Sequence, residues 1–288
     1  MDEIMTRPTP FSVAMCVYGG DNAEHFRLAV DSILNQSVPP DEVVLVVDGP
    51  IPEKLQEVVD KYTHQPIFKI IRLTENQGHG AARRAGLAHC TYDIVALMDA
   101  DDISVPHRFE KQLKVLENND ALAIVGGSIA EFIDSTDNIV GYRNVPCEDH
   151  AIKCYLKKRC PMNQMTVMFR KEAVDSVGGY LDWYCEEDYY LWLRMYLADM
   201  RFANIPEVLV NVRVGKEMYQ RRGGLKYFRS EAKLQTYMLK EKIIDFPTYI
   251  SNLGKRLIVQ VLLPNRLRGW VFRRFARNQI KVAARKTI

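Results

Sequence analysis

Between residues 11 and 126 the chain alternates five short apolar, β-branched runs with four helical stretches, a rhythm that leaves very few folds open. The runs cover 11–17, 43–47, 68–73, 94–98 and 122–125, and the stretches between them cover 23–35, 52–62, 81–89 and 107–118. The runs are in the main continuously apolar rather than alternating, the pattern of strands covered on both faces. The expected architecture is therefore α/β, a mainly parallel, Rossmann-like sheet flanked by helices.

Three of the intervals that follow these runs are polar or glycine-rich: Tyr18-Gly19-Gly20-Asp21, Asp48-Gly49-Pro50 and Asp99-Ala100-Asp101-Asp102. In a parallel sheet all three open onto one edge, beyond the carboxyl ends of the strands, and outline a nucleotide-sized site. The third is chemically the most demanding, because like charges gathered at the end of a buried strand need compensation. Residues two apart in extended backbone project to the same side, so Asp99 and Asp101 can converge on one divalent ion. Carboxylate oxygens suit Mg²⁺ or Mn²⁺, which are commonly shared with substrate phosphates. Asp102 or Ser104 is expected instead to cap a helix that begins near Pro106.

The stretch from Glu75 to Gly86 leads from the third strand into a helix; its glycines permit close backbone approach, and Arg83 or Arg84 brings positive charge toward an anionic ligand. It is no Walker loop, since the terminal Lys-Ser/Thr is missing. Beyond residue 127 the rhythm loosens to a helix at 148–158, a strand at 164–169, a short helix at 171–177 and the turn Gly178-Gly179-Tyr180. Glu186-Glu187-Asp188 then opens an apolar helix. Dipole compensation accounts for one acid at a helix start but strains to account for three beside aromatics.

With 288 residues, 47% hydrophobic and 26% charged, the composition is that of an ordinary globular protein. Met1-Asp2-Glu3 lacks the basic start of a secretory signal, and no apolar run is long enough for a membrane span. The six cysteines, at 16, 90, 147, 154, 160 and 185, form no C-x-x-C and read mostly as reduced core thiols of a cytosolic protein. Charge is uneven: residues 246–288 hold ten Lys and Arg and no acid, so with +3 overall residues 1–245 carry −7. On a wheel of about 100° per residue, Leu267, Val271, Phe272, Phe275, Val282 and Ala283 share one half and Arg273, Arg274, Arg277 and Lys281 the other. A helix of this kind suits contact with an anionic membrane through residues 255–288, or equally a docking helix that covers the domain. Nucleic acid is not an expected partner, because no nucleic-acid motif accompanies the charge.

Taken together, Asn76-x-Gly78…Ala82-Arg83…Gly86, Met98-Asp99-Ala100-Asp101-Asp102 with Pro106-x-Arg108, Gly178-Gly179-Tyr180 and Glu187-Asp188-x-x-Leu191-Trp192-x-Arg194 resemble one family. They look like the inverting family 2 glycosyltransferases of the GT-A fold, from residue 11 to roughly 225. Val47-Asp48-Gly49-Pro50 and Arg159-x-Pro161-x-Asn163 bring the chain nearest to bacterial transferases of amylovoran, capsule and exopolysaccharide biosynthesis.

The resemblance implies a GT-A domain over 1–225, with a nucleotide-sugar half at about 11–126 and an acceptor half at about 127–225, and a basic helical extension over 226–288. It places Tyr18 and Asp48 by the nucleobase, Arg83 near the nucleotide, and Asp99 and Asp101 as the D-x-D that holds sugar nucleotide and Mn²⁺ or Mg²⁺. Asp188 resembles the catalytic base, with Glu187 either orienting the site or substituting for it, and Arg221 and Arg222 are expected to reach the diphosphate. One departure is that many members carry two successive acids after the second strand, where this chain has Asp48 followed by Gly49-Pro50.

The implied reaction is a metal-assisted single displacement from a nucleotide-sugar donor, a UDP-sugar by family habit, to a glycan or polyprenyl-linked acceptor. The implied location is cytoplasmic, peripheral on the inner face of the cell membrane. A sugar-nucleotide nucleotidyltransferase would need a basic, glycine-rich loop directly after the first strand, and Tyr18-Gly19-Gly20-Asp21 has no basic residue. A non-catalytic nucleotide-sugar-binding module would lack the Asp99/Asp101 pair or Glu187-Asp188, and both are present. Loops around 127–165 and 205–225 are expected to shape the pocket.

Overall fold

The computed structural model describes residues 9–215 and 223–263. The first half follows the expected alternation: β1 (Phe11–Tyr18), α1 (Ala23–Leu34), β2 (Glu42–Asp48), α2 (Glu53–Asp60), β3 (Phe68–Leu73), α3 (His79–His89) and β4 (Ile94–Met98). After it come β5 (Ile103–Ser104), α4 (Arg108–Glu117), β6 (Leu122–Phe132), β7 (Ile139–Arg143), α5 (Asp149–Leu156), β8 (Met168–Arg170) and α6 (Lys171–Ser176). The chain continues through α7 (Glu187–Leu197), β9 (Arg201–Arg213), α8 (Leu225–Lys240) and α9 (Phe246–Leu257), which runs into a π turn at Ile258–Leu262.

Among the described residues all nine strands join one sheet in the order β3-β2-β1-β4-β8-β6-β9-β5, with β7 on β6. Strands β1 to β4 pair in parallel, as continuous apolarity predicts. Beyond them the sheet is mixed: β8 runs antiparallel to both β4 and β6, while β6 and β9 pair in parallel. Side chains alternate across the sheet, so Val13, Met15 and Leu45 enter one core with Phe26 and Phe109, and Ala14, Val44 and Val95 enter the other with Phe169 and Trp192. Leu234 and Met238 of α8 belong to the second core.

Several local expectations are corrected. The segment 164–169 is not one strand, because Thr166 turns it: its N–H and its hydroxyl both donate to the Asn163 carbonyl, at 2.8 and 2.7 Å, closing a 3₁₀ turn at Gln164–Thr166 before β8. The regions 127–165 and 205–225 are not simply loops, since β6 extends to Phe132 and β9 fills Arg201–Arg213. Gly126-Gly127 and Pro206 look like breaks in the sequence. Yet the register between β6 and β9 shifts around them, and Gly127 admits Leu209, whose Cδ1 would stand 2.5 Å from an added Cβ.

Neither Asp102 nor Ser104 caps α4, whose N-cap residue is His107. Ser104 is held in β5 opposite Val210, and Gln36 instead accepts the N–H of Phe109 in the first turn of α4. All six cysteines are free, but only Cys90 is fully buried; Cys154 and Cys185 are exposed rather than core thiols. Arg221, Arg222 and the helix expected over 267–283 lie outside the described residues.

Candidate active site

Strands β1, β2 and β4 are parallel, so Tyr18, Asp48 and the Asp99 turn emerge at one edge of the sheet. Asp48, only 4% exposed, braces the loop between β3 and α3. Its two carboxylate oxygens accept the N–H groups of Gln77 and Gly78 at 2.7 and 3.0 Å, while the Asn76 amide donates to its carbonyl at 3.3 Å. Gly49 follows with φ +80°, and a Cβ there would lie 2.5 Å from the Asn76 nitrogen, so a second acid has no room at this position. Exposed Tyr18 meets His79 edge-on, ring centroids 6.3 Å apart.

Arg83 of α3 joins two of the acidic motifs. One guanidinium nitrogen donates to Glu187 at 2.6 Å and the other to Asp99 at 3.1 Å. Burial opposes the charge on Arg83, but the carboxylates of Asp99 and Glu187 outweigh it and hold the group firmly protonated. Arg84 turns away and donates to the Tyr180 carbonyl at 3.1 Å. The two arginines left open as alternatives by the sequence are thereby separated.

The three acids before and within the first turn of α7 have three different environments. Glu187, buried, is held by Arg83. Glu186, also buried, accepts the Tyr227 hydroxyl of α8 at 2.8 Å, and burial together with Glu231 pushes its carboxyl well above the ordinary range. Asp188, half-buried, accepts the N–H of Tyr189 at 2.7 Å. Burial and then the neighbouring Glu187 push the Asp188 carboxyl up to about 6, with Arg83 acting in the opposite direction. A carboxylate with that pKa is poised for proton transfer near neutral pH.

The acids after β4 also divide. Asp101 is exposed and Asp99 partly so, whereas Asp102 is buried and accepts the backbone N–H of Arg213 at 2.9 Å. Arg213 also donates to the Asp101 carbonyl at 3.1 Å and lies over the Phe132 ring, which fastens the acidic turn to β9. Burial, then Asp101 and Asp99, raise the Asp102 carboxyl well above its ordinary value. Beneath the turn lies Arg108, fully buried, donating to the Leu97 carbonyl at 2.7 Å and to Gln112 at 2.9 Å. Burial lowers Arg108 to about 9, opposed by Asp99 and Asp102. Burial pushes the thiol of nearby Cys16 up to about 12, away from the thiolate form.

Asp99 and Asp101 present hard oxygen donors of the kind Mn²⁺ and Mg²⁺ prefer. Among the described residues no group of three or more His, Cys, Asp or Glu is arranged to hold an ion. An ion shared with a diphosphate needs fewer protein ligands than that, so the two acids fit such a role.

Sequence reasoning assigned no role to Arg213, Arg108 or Tyr227. Arg108 stood inside a quoted motif, but nothing local marks Arg213 or Tyr227, because Asp102 and Glu186, the acids they serve, lie 111 and 41 residues away.

A family profile described as Glycosyl transferase family 2 matches residues 12–178, more than half of the chain. The chain is a family 2 glycosyltransferase. It is 40% identical over 259 residues to an uncharacterized glycosyltransferase of Haemophilus influenzae, covering 88% of this chain and 96% of that one. It is 35% identical to a UDP-Gal:alpha-D-GlcNAc-diphosphoundecaprenol beta-1,3-galactosyltransferase of Escherichia coli, covering 95% of this glycosyltransferase and 99% of the relative. The amylovoran biosynthesis glycosyltransferase AmsE of Erwinia amylovora is 36% identical, with 82% and 88% covered. A mannosyltransferase of Pyrobaculum calidifontis, solved with GDP-Man and Mn²⁺, superposes with a TM-score of 0.61 at 17% identity, covering 92% of this chain and 72% of its own. The glycosyltransferase thus has the GT-A fold expected from its sequence.

Proposed function

We propose that this glycosyltransferase moves a sugar from a UDP-sugar to a glycan or polyprenyl-linked acceptor in surface polysaccharide biosynthesis, inverting the anomeric centre. The observation that carries this reading is the Arg83 bridge, which draws the acid at the end of β4 and the acidic start of α7 to one guanidinium. Asp188 accepts the proton of the acceptor hydroxyl while that oxygen bonds to the anomeric carbon and the diphosphate leaves from the opposite face. Glu187, committed to Arg83, orients the site rather than serving as base.

Asp99 and Asp101 are the residues that would hold Mn²⁺ or Mg²⁺, which when bound stabilises charge on the departing diphosphate. Tyr18 flanks the nucleobase, and Asp48 acts there through the 76–78 loop that it braces. Arg221 and Arg222 serve the diphosphate in the same reading, by their place in the sequence. The donor and acceptor named for the Escherichia coli relative support the UDP-sugar and the polyprenyl acceptor. The Mn²⁺ in the Pyrobaculum structure supports the metal. Division into a donor half at 11–126, an acceptor half at 127–225 and an extension at 226–288 belongs to this reading, as does contact with an anionic bilayer through residues 255–288.

The test is transfer from a panel of nucleotide sugars with Mn²⁺ to a polyprenyl-diphosphate sugar, with the product's anomeric configuration read by NMR. A β-linked product from an α-linked donor is expected, and an α-linked product would overturn inversion. Pyrophosphate release from a nucleoside triphosphate and a sugar phosphate would instead mark a nucleotidyltransferase.

A further inference from the structure

Helix α9 is built inside out. A helix on the surface of a globular protein turns its apolar stripe to the core and its polar face to water. In α9 the side facing the protein carries one half-buried ring, Tyr249, against the second core, and otherwise Asn252, Arg256 and, in the following π turn, Gln260, all of them buried or half-buried. Asn252 donates to the Lys157 carbonyl at 3.0 Å and to Gln235 at 2.8 Å, and Arg256 pairs with Glu231 and donates to the Lys158 carbonyl at 3.2 Å. The opposite side carries Phe246, Ile250, Leu257 and Ile258, exposed by 62, 52, 39 and 52%, and Leu262 beyond them by 65%. The first four recur at helical spacing, so they form one outward stripe.

The stripe continues toward the reaction centre. The Gly224 N–H bonds the Gln260 carbonyl at 2.9 Å, which brings Leu225, 56% exposed, up to the π turn. Tyr227, in the same first turn of α8, donates to Glu186, two residues before Asp188. Lys255 is exposed within α9, and residues 264–288 add eight Lys and Arg and no acid. An apolar stripe followed in the sequence by a cationic segment is complementary to a surface that is apolar below and anionic above.

We infer that the outward face of α9, from Phe246 to Leu262 and joined by Leu225, is the surface on which the enzyme lies in an anionic bilayer. The inference rests on the bilayer contact proposed above and moves its apolar half from the tail beyond residue 263 to a helix packed on the catalytic domain. Docked this way, the enzyme holds the start of α7 near the membrane plane, where a lipid-linked sugar would be presented.

The test is co-sedimentation of the full chain with phosphatidylcholine vesicles, with and without phosphatidylglycerol. Three proteins are compared: wild type, Ile250→Glu/Leu257→Glu, and Arg273→Glu/Arg274→Glu. Wild type should bind the anionic vesicles. The α9 variant should bind at least about tenfold more weakly, with unchanged melting temperature and unchanged transfer to a water-soluble acceptor. If the α9 variant binds as wild type does while the arginine variant does not, the tail alone is the anchor and the inference fails, although bilayer contact stands. If wild type binds no vesicles, bilayer contact itself fails. A wild-type dimer that the α9 variant dissociates, without vesicle binding, would assign the face to a second copy of the chain and overturn the inference.

Discussion

The Arg83 guanidinium lies 2.6 Å from the Glu187 carboxylate, and its second nitrogen holds Asp99, so two acids from distant parts of the chain share one cation. The bridge also fixes where Asp188 sits, because Asp188 follows Glu187 in the same helical turn.

Arg83→Lys should therefore harm both halves of the site. An ammonium cannot present the planar fork that reaches both carboxylates. A charge-assisted hydrogen bond contributes about 1.5–3 kcal/mol, so kcat/KM is expected to fall about 10- to 100-fold. Urea denaturation should show a loss of similar size. Steady-state kinetics within a factor of about two of wild type would show that the bridge is incidental.

The pKa of about 6 at Asp188 makes a signed prediction in pH. A base must be ionised, so kcat/KM should rise between about pH 5 and 7 and then level off. Stability runs the other way. The folded-state pKa lies above the ordinary value of 3.8, so the contribution to stability is full below that value and is lost as pH rises through about 6. Asp188→Asn should thus melt higher than wild type at pH 8, by a margin that shrinks at pH 4. A variant that melts lower at pH 8 would contradict the burial argument.

The acids after β4 should separate under substitution. Asp101→Ala is expected to abolish metal-dependent turnover, and chelation of wild type should do the same, with Mn²⁺ or Mg²⁺ restoring it. Asp102→Asn, which keeps an acceptor for the Arg213 N–H, should fold and turn over nearly as wild type does. Asp102→Ala leaves that N–H unsatisfied and should lower stability by about 1–3 kcal/mol. Full activity after exhaustive chelation would remove the metal from the mechanism.

Asp48 is the acceptor for two backbone N–H groups, so Asp48→Ala should loosen the 76–78 loop and raise the KM for donor more than it lowers kcat. Gly49→Ala should destabilise by about 1–3 kcal/mol, because it strains a positive φ. Donor titration monitored by calorimetry, beside thermal melts, checks both.

The repeating part of the fold was plain in the sequence because strands β1, β2 and β4 are buried on both faces, which leaves a nearly unbroken apolar signature, while the edge strand β3 carries exposed Lys69 and Arg72. Asp99 stands out in the sequence for the opposite reason, because carboxylates gathered at the end of a buried strand are costly, whereas the role proposed for Asp188 rests on the resemblance of Glu187-Asp188 to the family motif. What escaped notice was pairing across distance. The Arg83 bridge spans 104 residues and the Arg213 clamp 111, and no local spacing encodes either. Asp102 resembled a helix cap because a cap and a buried tie both ask for a short side chain with an acceptor oxygen. The apolar stripe of α9 was not singled out in the sequence, and which way it faces is decided by Asn252 and Arg256 finding Gln235 and Glu231 on α8.

The most direct test is single-turnover transfer by Asp188→Asn beside Glu187→Gln, with donor affinity measured separately on each protein. Asp188→Asn should lower the rate of transfer by about 10²- to 10⁴-fold with donor Kd within about threefold of wild type, and Glu187→Gln should fall less in rate. Transfer by Asp188→Asn within about threefold of wild type would contradict the assignment of the base and the mechanism built on it.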